Sequence, residues 1–248
     1  MKTAILAITA AAFAAGTTTA SAQTYIFEWE AGDTAVNNAG GEFQSVTGSY
    51  NATTNLFTWD ITFADQITDG YTLAVSPGDN PKGTSGELAL IYFDASNIAT
   101  PEVTVYAYNG QNTQLSWADG SDAPGVQSPD KIVSSSGINS ADILSATVTD
   151  GGGMRTLSLE MDATNIQNHL PKWPGSADWT GLGFADSIGV WLHPTAGLTT
   201  EYGVDGFLNN WTPGREGWLD GSNFHTVPAP AGSLALGGLG LAAARRRR

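Results

Sequence analysis

The sequence predicts an all-β fold, a two-sheet antiparallel β-sandwich of jelly-roll-like kind. Three observations predict it. Apolar and polar residues alternate with period two over many short stretches. Clusters of Gly, Asn, Asp and Pro punctuate those stretches. No long apolar stripe of helical period occurs. With 248 residues, 41% of them hydrophobic, the chain is long enough to bury a sizeable core. No fixed-period repeat or internal composition shift divides it, so one domain is expected over 23–226, flanked by segments 1–22 and 227–248.

The elements follow in chain order. Glu28-Trp29-Glu30 places two glutamates on one face of a strand, about 7 Å apart. Phe43–Tyr50 and Leu56–Phe63 read as a hairpin around Asn51–Asn55. In the second of these, Phe57, Trp59, Ile61 and Phe63 alternate with Thr58, Asp60 and Thr62, the pattern of a half-buried strand. Tyr71–Val75 is a further strand, closed by the tight loop Ser76-Pro77-Gly78-Asp79-Asn80-Pro81. Leu88–Phe93 is continuously apolar, as expected of a central strand covered on both faces. Glu102–Tyr108 alternates again. Ile143–Val148 and Thr156–Met161 flank Asp150-Gly151-Gly152-Gly153, whose glycines supply positive φ for a turn. Asp162–His169 suits one short helix capped by Asp162, and Ser187–Leu192 is a further strand. The expected total is about ten strands, within the range of such sandwiches.

The two ends read as addresses. Lys2 gives a positive start and Ile5 to Ala15 an apolar run. Ala20-Ser21-Ala22 gives the small-x-small pattern of signal peptidase, so cleavage is expected before Gln23. The apolar run is far shorter than the roughly 20 residues that a membrane span needs. At the other end, Val227-Pro228-Ala229-Pro230 is expected to leave the domain as extended chain. An uncharged apolar stretch over 231–244 follows, then Arg245, Arg246, Arg247 and Arg248. A helix over 231–244 would be about 21 Å long, against a hydrocarbon core about 30 Å thick. It suits a transient membrane anchor with the arginines on the cytoplasmic side.

Proline motif, short apolar stretch and terminal arginine cluster, in that order, resemble the PEP-CTERM sorting signal of exopolysaccharide-producing Gram-negative bacteria. Ala229 stands where the family name has glutamate. The resemblance covers Val227 to Arg248 and implies sorting: a transpeptidase-like membrane enzyme, an exosortase, recognises and removes the tail. It implies passage through the inner membrane to the cell envelope, outer surface or extracellular matrix. The run from Asp69-Gly70-Tyr71 through Ser76–Gly83 to Glu87–Asp94 resembles uncharacterised exported domains that carry this tail, and implies no activity.

Charge narrows the partners. The chain carries −14 overall. If both ends are removed, the five cations Lys82, Lys131, Arg155, Lys172 and Arg215 stand against all 24 acids, leaving −19. Nucleic acid and anionic membrane surfaces are excluded as partners, because both need a cationic surface. Cations, neutral sugars and basic partners are left. With no cysteine, disulfides, thiolate metal sites and a cysteine nucleophile are excluded.

Three sets of residues offer chemistry. Asp119 with Asp122, and Asp220 with Asn223, are expected to form oxygen-rich loops of the type that holds Ca2+; neither fits EF-hand spacing. Trp117, Trp173, Trp179, Trp211 and Trp218 lie beside turns and polar residues, where an aromatic ring covers the apolar face of a sugar. His169, His193 and His225 stand isolated in the sequence, with no metal-ligand pair and no nucleophile elbow. No catalytic residue is assigned. The expected protein is an exported, non-catalytic binding or structural sandwich that contacts extracellular polysaccharide. The alternatives are a jelly-roll enzyme acting on glycans and a self-assembling matrix protein, the last favoured by a long exposed apolar edge strand.

Overall fold

The structure is a computed structural model and describes residues 23–78, 88–108, 130–170 and 179–228. Its strands are β1 (Thr24–Glu30), β2 (Phe43–Asn51), β3 (Leu56–Phe63), β4 (Thr68–Ser76), β5 (Leu88–Asp94), β6 (Glu102–Tyr108), β7 (Asp130–Ser134), β8 (Ile143–Gly151) and β9 (Met154–Asp162). After a single helical turn, α1 (Thr164–Gln167), come β10 (Ser187–Ala196), β11 (Thr199–Tyr202), β12 (Leu208–Thr212), β13 (Arg215–Glu216), β14 (Leu219–His225) and β15 (Val227–Pro228).

The expected two-sheet antiparallel sandwich is present. Sheet 1 runs β15-β1-β2-β3-β9-β8. Sheet 2 runs β10-β4-β5-β6-β7, with β13 and β14 lying end to end along the free side of β10. The chain crosses between sheets four times, from β3 to β4, β7 to β8, β9 to β10 and β14 to β15. Because β3 pairs with β9 and β4 with β10, the β3–β4 and β9–β10 crossings run side by side and tie the layers together.

Alternation builds the core between the sheets. Phe27 and Trp29 of β1, and Phe57, Trp59, Ile61 and Phe63 of β3, face Leu73, Ile91, Val105 and Leu192 of sheet 2 in one buried cluster. Phe27 stacks on Trp59 at 5.5 Å and Tyr71 on Phe93 at 5.0 Å. Each such buried side chain contributes about 1.5–3 kcal/mol of transfer free energy. Gly48 lies opposite Trp59 in the β2–β3 register, and a Cβ there would come within 2.4 Å of the indole ring. The glycine makes the space the ring fills.

Sheet 2 is covered on its outer face as well. Leu88, Leu90, Tyr92 and Tyr106 pack against Leu198, Phe207, Leu208 and Trp211 from the β11–β12 hairpin and its approaches. This second cluster explains why every residue of β5 is buried. The outer face of sheet 1 is polar, with hydroxyl pairs such as Ser49–Thr58 (2.8 Å) and Thr62–Thr156 (3.0 Å) across neighbouring strands.

The two expected hairpins form. Asn51 Oδ1 accepts from the amides of Thr53 and Thr54, and Gly152 and Gly153 take φ of 61° and 83° between β8 and β9. The expected helix over Asp162–His169 shrinks to α1. Asp162 ends β9, with its Oδ1 accepting from Thr164 N at 2.9 Å. Only Ile166 of α1 is buried, so one apolar contact supports a single turn. The domain also runs two residues past the expected boundary. Val227 and Pro228 pair with Ile26 and Tyr25, at an edge where a proline without an amide proton is tolerated.

Among the described residues no helix is long and apolar enough to cross a membrane. The expected signal segment, with Ala20 and Ala22, and the tail from Ala229 and Pro230 to Arg245–Arg248 lie outside the described residues, and Gln23 is the first described residue.

Candidate functional site

The densest cluster of polar chemistry sits on β10. Alternation turns Val190 and Leu192 into the core, leaving Trp191 and His193 on the outer face. The register then brings in two acids. β14 pairs Asp220 with Trp191, and β13 pairs Glu216 with Thr195. Between them Gly217 and Trp218 run close under the segment at Asn37. Asn37 and Trp218 exchange both backbone hydrogen bonds, at 2.9 and 3.0 Å. A Cβ on Gly217 would come within 2.3 Å of the Asn37 carbonyl oxygen, so this close approach requires glycine. It sets one acid on each side of the imidazole.

His193 Nδ1 lies 2.5 Å from Glu216 Oε1 and Nε2 lies 2.8 Å from Asp220 Oδ1. The Trp191 indole N–H also points at Nε2, and the two rings meet edge to face at 5.1 Å. The His193 side chain is 10% exposed, against 46% for Glu216 and 37% for Asp220. Burial disfavours a charged imidazole, but hydrogen bonds and charge from Asp220 and Glu216 outweigh it and raise its pKa above the ordinary histidine value. Trp191 is half-buried, packed in part against the second hydrophobic cluster, and lies opposite Asp220 in the β10–β14 register.

A second polar site lies at the far side of the same sheet. Asp94 and Glu102 pair directly across β5 and β6 and line a pocket of about 210 Å³ with Ser96, Asn97, Thr100, Thr200 and Tyr202. Asp94 is buried and accepts from Ser96 N (2.8 Å), Thr200 Oγ1 (2.6 Å) and Tyr202 OH (2.9 Å). Burial first, then the Asp94 charge, push the Tyr202 phenol far above its ordinary pKa. Glu28 and Glu30 do share a face, as the alternation predicts, in a shallow open groove with Asp33, Ser45 and Thr47.

The tryptophans expected to contact glycan have other neighbours. Trp211 is buried in the second cluster, edge-on to Tyr92 at 5.0 Å. Trp179 packs on the main core, donates from Nε1 to the Ile166 carbonyl at 2.8 Å, and meets His169 edge to face. Trp218 is half-buried and held through its backbone. Trp117, Trp173, Asp119 and Asp122 lie outside the described residues. The loop expected at Asp220–Asn223 is instead part of strand β14, and the Asp220 carboxylate is engaged by His193. Asp220 therefore belongs to the histidine cluster. Among the described residues no group of three or more His, Asp or Glu side chains is placed to hold a metal ion.

The Trp191–His193–Glu216–Asp220 cluster was not singled out from sequence. Its one local signal is Trp-x-His on an alternating strand, which puts both rings on one face. No family model, no curated protein and no solved structure matches this chain.

Proposed function

We propose that this chain is an exported protein of the cell envelope or extracellular matrix, processed by signal peptidase and an exosortase-type enzyme. Its sandwich binds polysaccharide without catalysing a reaction on it. The export and sorting reading rests on the composition of the two ends. The binding reading rests on one observation: the half-buried Trp191 ring stands beside the carboxylates of Glu216 and Asp220. An aromatic face for sugar C–H groups with acceptors for hydroxyls at its rim is the chemistry that holds a neutral glycan. The test is retention on immobilised exopolysaccharide. Trp191→Ala is expected to reduce retention at least tenfold, about 1.4 kcal/mol, while Trp211→Phe leaves the surface contact intact. Equal retention of wild type and Trp191→Ala refutes the assignment.

A glycan-active enzyme is the second reading, favoured by the Asp94–Glu102 pair that lines the small pocket. Against it stands the engagement of both Asp94 oxygens by three donors. Release of new reducing ends from polysaccharide, lost in Glu102→Gln, would establish it.

A further inference from the structure

We propose that the outer face of sheet 1 is a binding surface for a polysaccharide that carries free amino groups. The inference does not depend on the Trp191 reading, which concerns the outer face of sheet 2. Register aligns the side chains of the sheet 1 face into rows that cross the strands. One row runs Glu28, Thr47, Asp60, Ser158 and Thr147, from β1 to β8. The next runs Glu30, Ser45, Thr62, Thr156 and Thr149 over the same strands. With strands about 4.8 Å apart each row spans about 19 Å, and the two rows lie about 7 Å from each other.

The rows are made of hydroxyls and carboxylates. Neither contains an apolar residue, a lysine or an arginine. The hydroxyls are linked across strands, Thr62 to Thr156 at 3.0 Å within the second row and Ser49 to Thr58 at 2.8 Å beside the first. A linked pair keeps one O–H proton to donate outward and lone pairs to accept. At the β1 end the rows border a groove of about 460 Å³, where Asp33 joins Glu28, Glu30, Ser45 and Thr47. Glu160, opposite Thr58, adds one more carboxylate beside the first row. Among the described cations, Lys131 pairs with Asp205 and Arg155 with Asp150, and Arg215 lies on β13 in sheet 2. None of the three stands on this face.

Charge complementarity selects the occupant. The domain between the two expected processing sites carries −19, so anionic polymers and further copies of this chain are repelled. A neutral glycan meets the hydroxyls and leaves the charge of the acids unmatched. An amino sugar meets both: its ammonium groups donate to Glu28, Glu30 and Asp60, and its hydroxyls exchange hydrogen bonds with the Ser and Thr side chains between them. A basic protein fits less well, because protein interfaces are anchored by aromatic and other apolar side chains in a desolvated centre, and these rows hold none. Without an aromatic platform each sugar contributes little, so several must engage at once. Because the attraction is between exposed charges, it weakens as salt is added.

The test is calorimetric titration of the protein with glucosamine oligomers of increasing length, at a pH of about 6, where carboxylates and amines are both charged. Affinity is expected to rise with length. It is expected to fall about tenfold or more for the N-acetylated oligomers, which keep the hydroxyls and lose the charge. Asp60→Lys, an exposed change at the centre of the first row, is expected to weaken binding about tenfold or more. Glu28→Lys, at the β1 end of the row, gives the same loss from a second exposed position, and circular dichroism confirms that both variants fold. Glu201→Lys makes the same change in net charge on the exposed side of β11 and is expected to cost less than about twofold. An equal loss in Glu201→Lys shows attraction to total charge and overturns the proposal. So does equal binding of the N-acetylated oligomers, or binding of neither. If polylysine binds, is lost in Asp60→Lys, and glucosamine oligomers do not bind, the face belongs to a basic protein and the proposal is likewise overturned.

Discussion

His193 shows how one side chain couples proton uptake to the packing of an edge. In the charged form both ring nitrogens donate, Nδ1 to Glu216 and Nε2 to Asp220. In the neutral form with the proton on Nδ1, Nε2 becomes an acceptor for the Trp191 indole N–H. The folded-state pKa is raised, so the stabilisation is complete below the unfolded histidine value of about 6.5 and is lost as pH climbs through the folded value. Both acids are more than a third exposed, and solvent screening holds the effect to about 1 kcal/mol. In a domain of this size that is a melting-temperature loss of about 2–4 °C. Thermal melts between pH 6 and 9 are expected to fall more steeply for wild type than for His193→Gln; parallel curves would show the carboxylates contribute nothing to the edge. Asp150 has the opposite sign. Its hydrogen bond to Arg155 lowers its pKa, so its contribution is present above the ordinary carboxylate value and is lost as pH falls through the lowered one. The sequence could place Trp191 and His193 on one face, since period two is local. It could not supply Glu216 and Asp220, whose positions depend on how β13 and β14 register against β10.

At the scale of elements, local pattern and tertiary packing divide the work differently. The unbroken apolar run Leu88–Phe93 announces a strand covered on both faces, and β5 is that strand. What covers its outer face was hidden. Trp211 stands in a polar context in sequence yet is buried against Tyr92, because the β11–β12 hairpin folds back as a third layer. Asp94 fixes that layer: Thr200 and Tyr202 of β11 donate to one oxygen of a carboxylate that is only 4% exposed. In Asp94→Ala both half-buried hydroxyls lose their acceptor, at a cost of about 1–3 kcal/mol for the groups left unpaired. Amide exchange in β11 and β12 is then expected to speed up about tenfold or more, while exchange in β3 and β9 stays at the wild-type rate. Unchanged exchange in the hairpin would mean that Phe207, Leu208 and Trp211 hold the layer without the carboxylate. The short helix fails the other way. Asp162 does accept from the amide two residues on, but the N-cap of α1 is Ala163, which has no side-chain cap bond, and without an apolar stripe the helix stops after one turn.

For the molecule as a whole, the first and last described segments meet. β15 lies on β1, so the first and last described segments share one edge of sheet 1, with Tyr25 opposite Pro228 and Ile26 opposite Val227. From sequence, Val227–Pro230 reads as chain leaving the domain, because proline interrupts a strand interior. At an edge that reasoning does not hold, and only the tertiary pairing shows that this segment is at one. Val227 and Pro228 therefore belong both to the proposed signal and to the sheet. Under the sorting reading, cleavage beyond Pro228 leaves sheet 1 whole, whereas cleavage before Val227 strips its first strand. A chain ending at Thr226 is expected to lose about 1 kcal/mol, one or two backbone hydrogen bonds net, and about 2–4 °C in melting temperature. The exposed β1 edge still carries Glu28 and Glu30, both on the solvent side, and charge on an edge opposes pairing with another chain. The truncated chain should therefore melt earlier without aggregating faster, as read by differential scanning calorimetry and light scattering together. An unchanged melting temperature would show that β15 lies on the sheet without supporting it. The proposed signal would then be free to work as a disposable tail from Val227 onward.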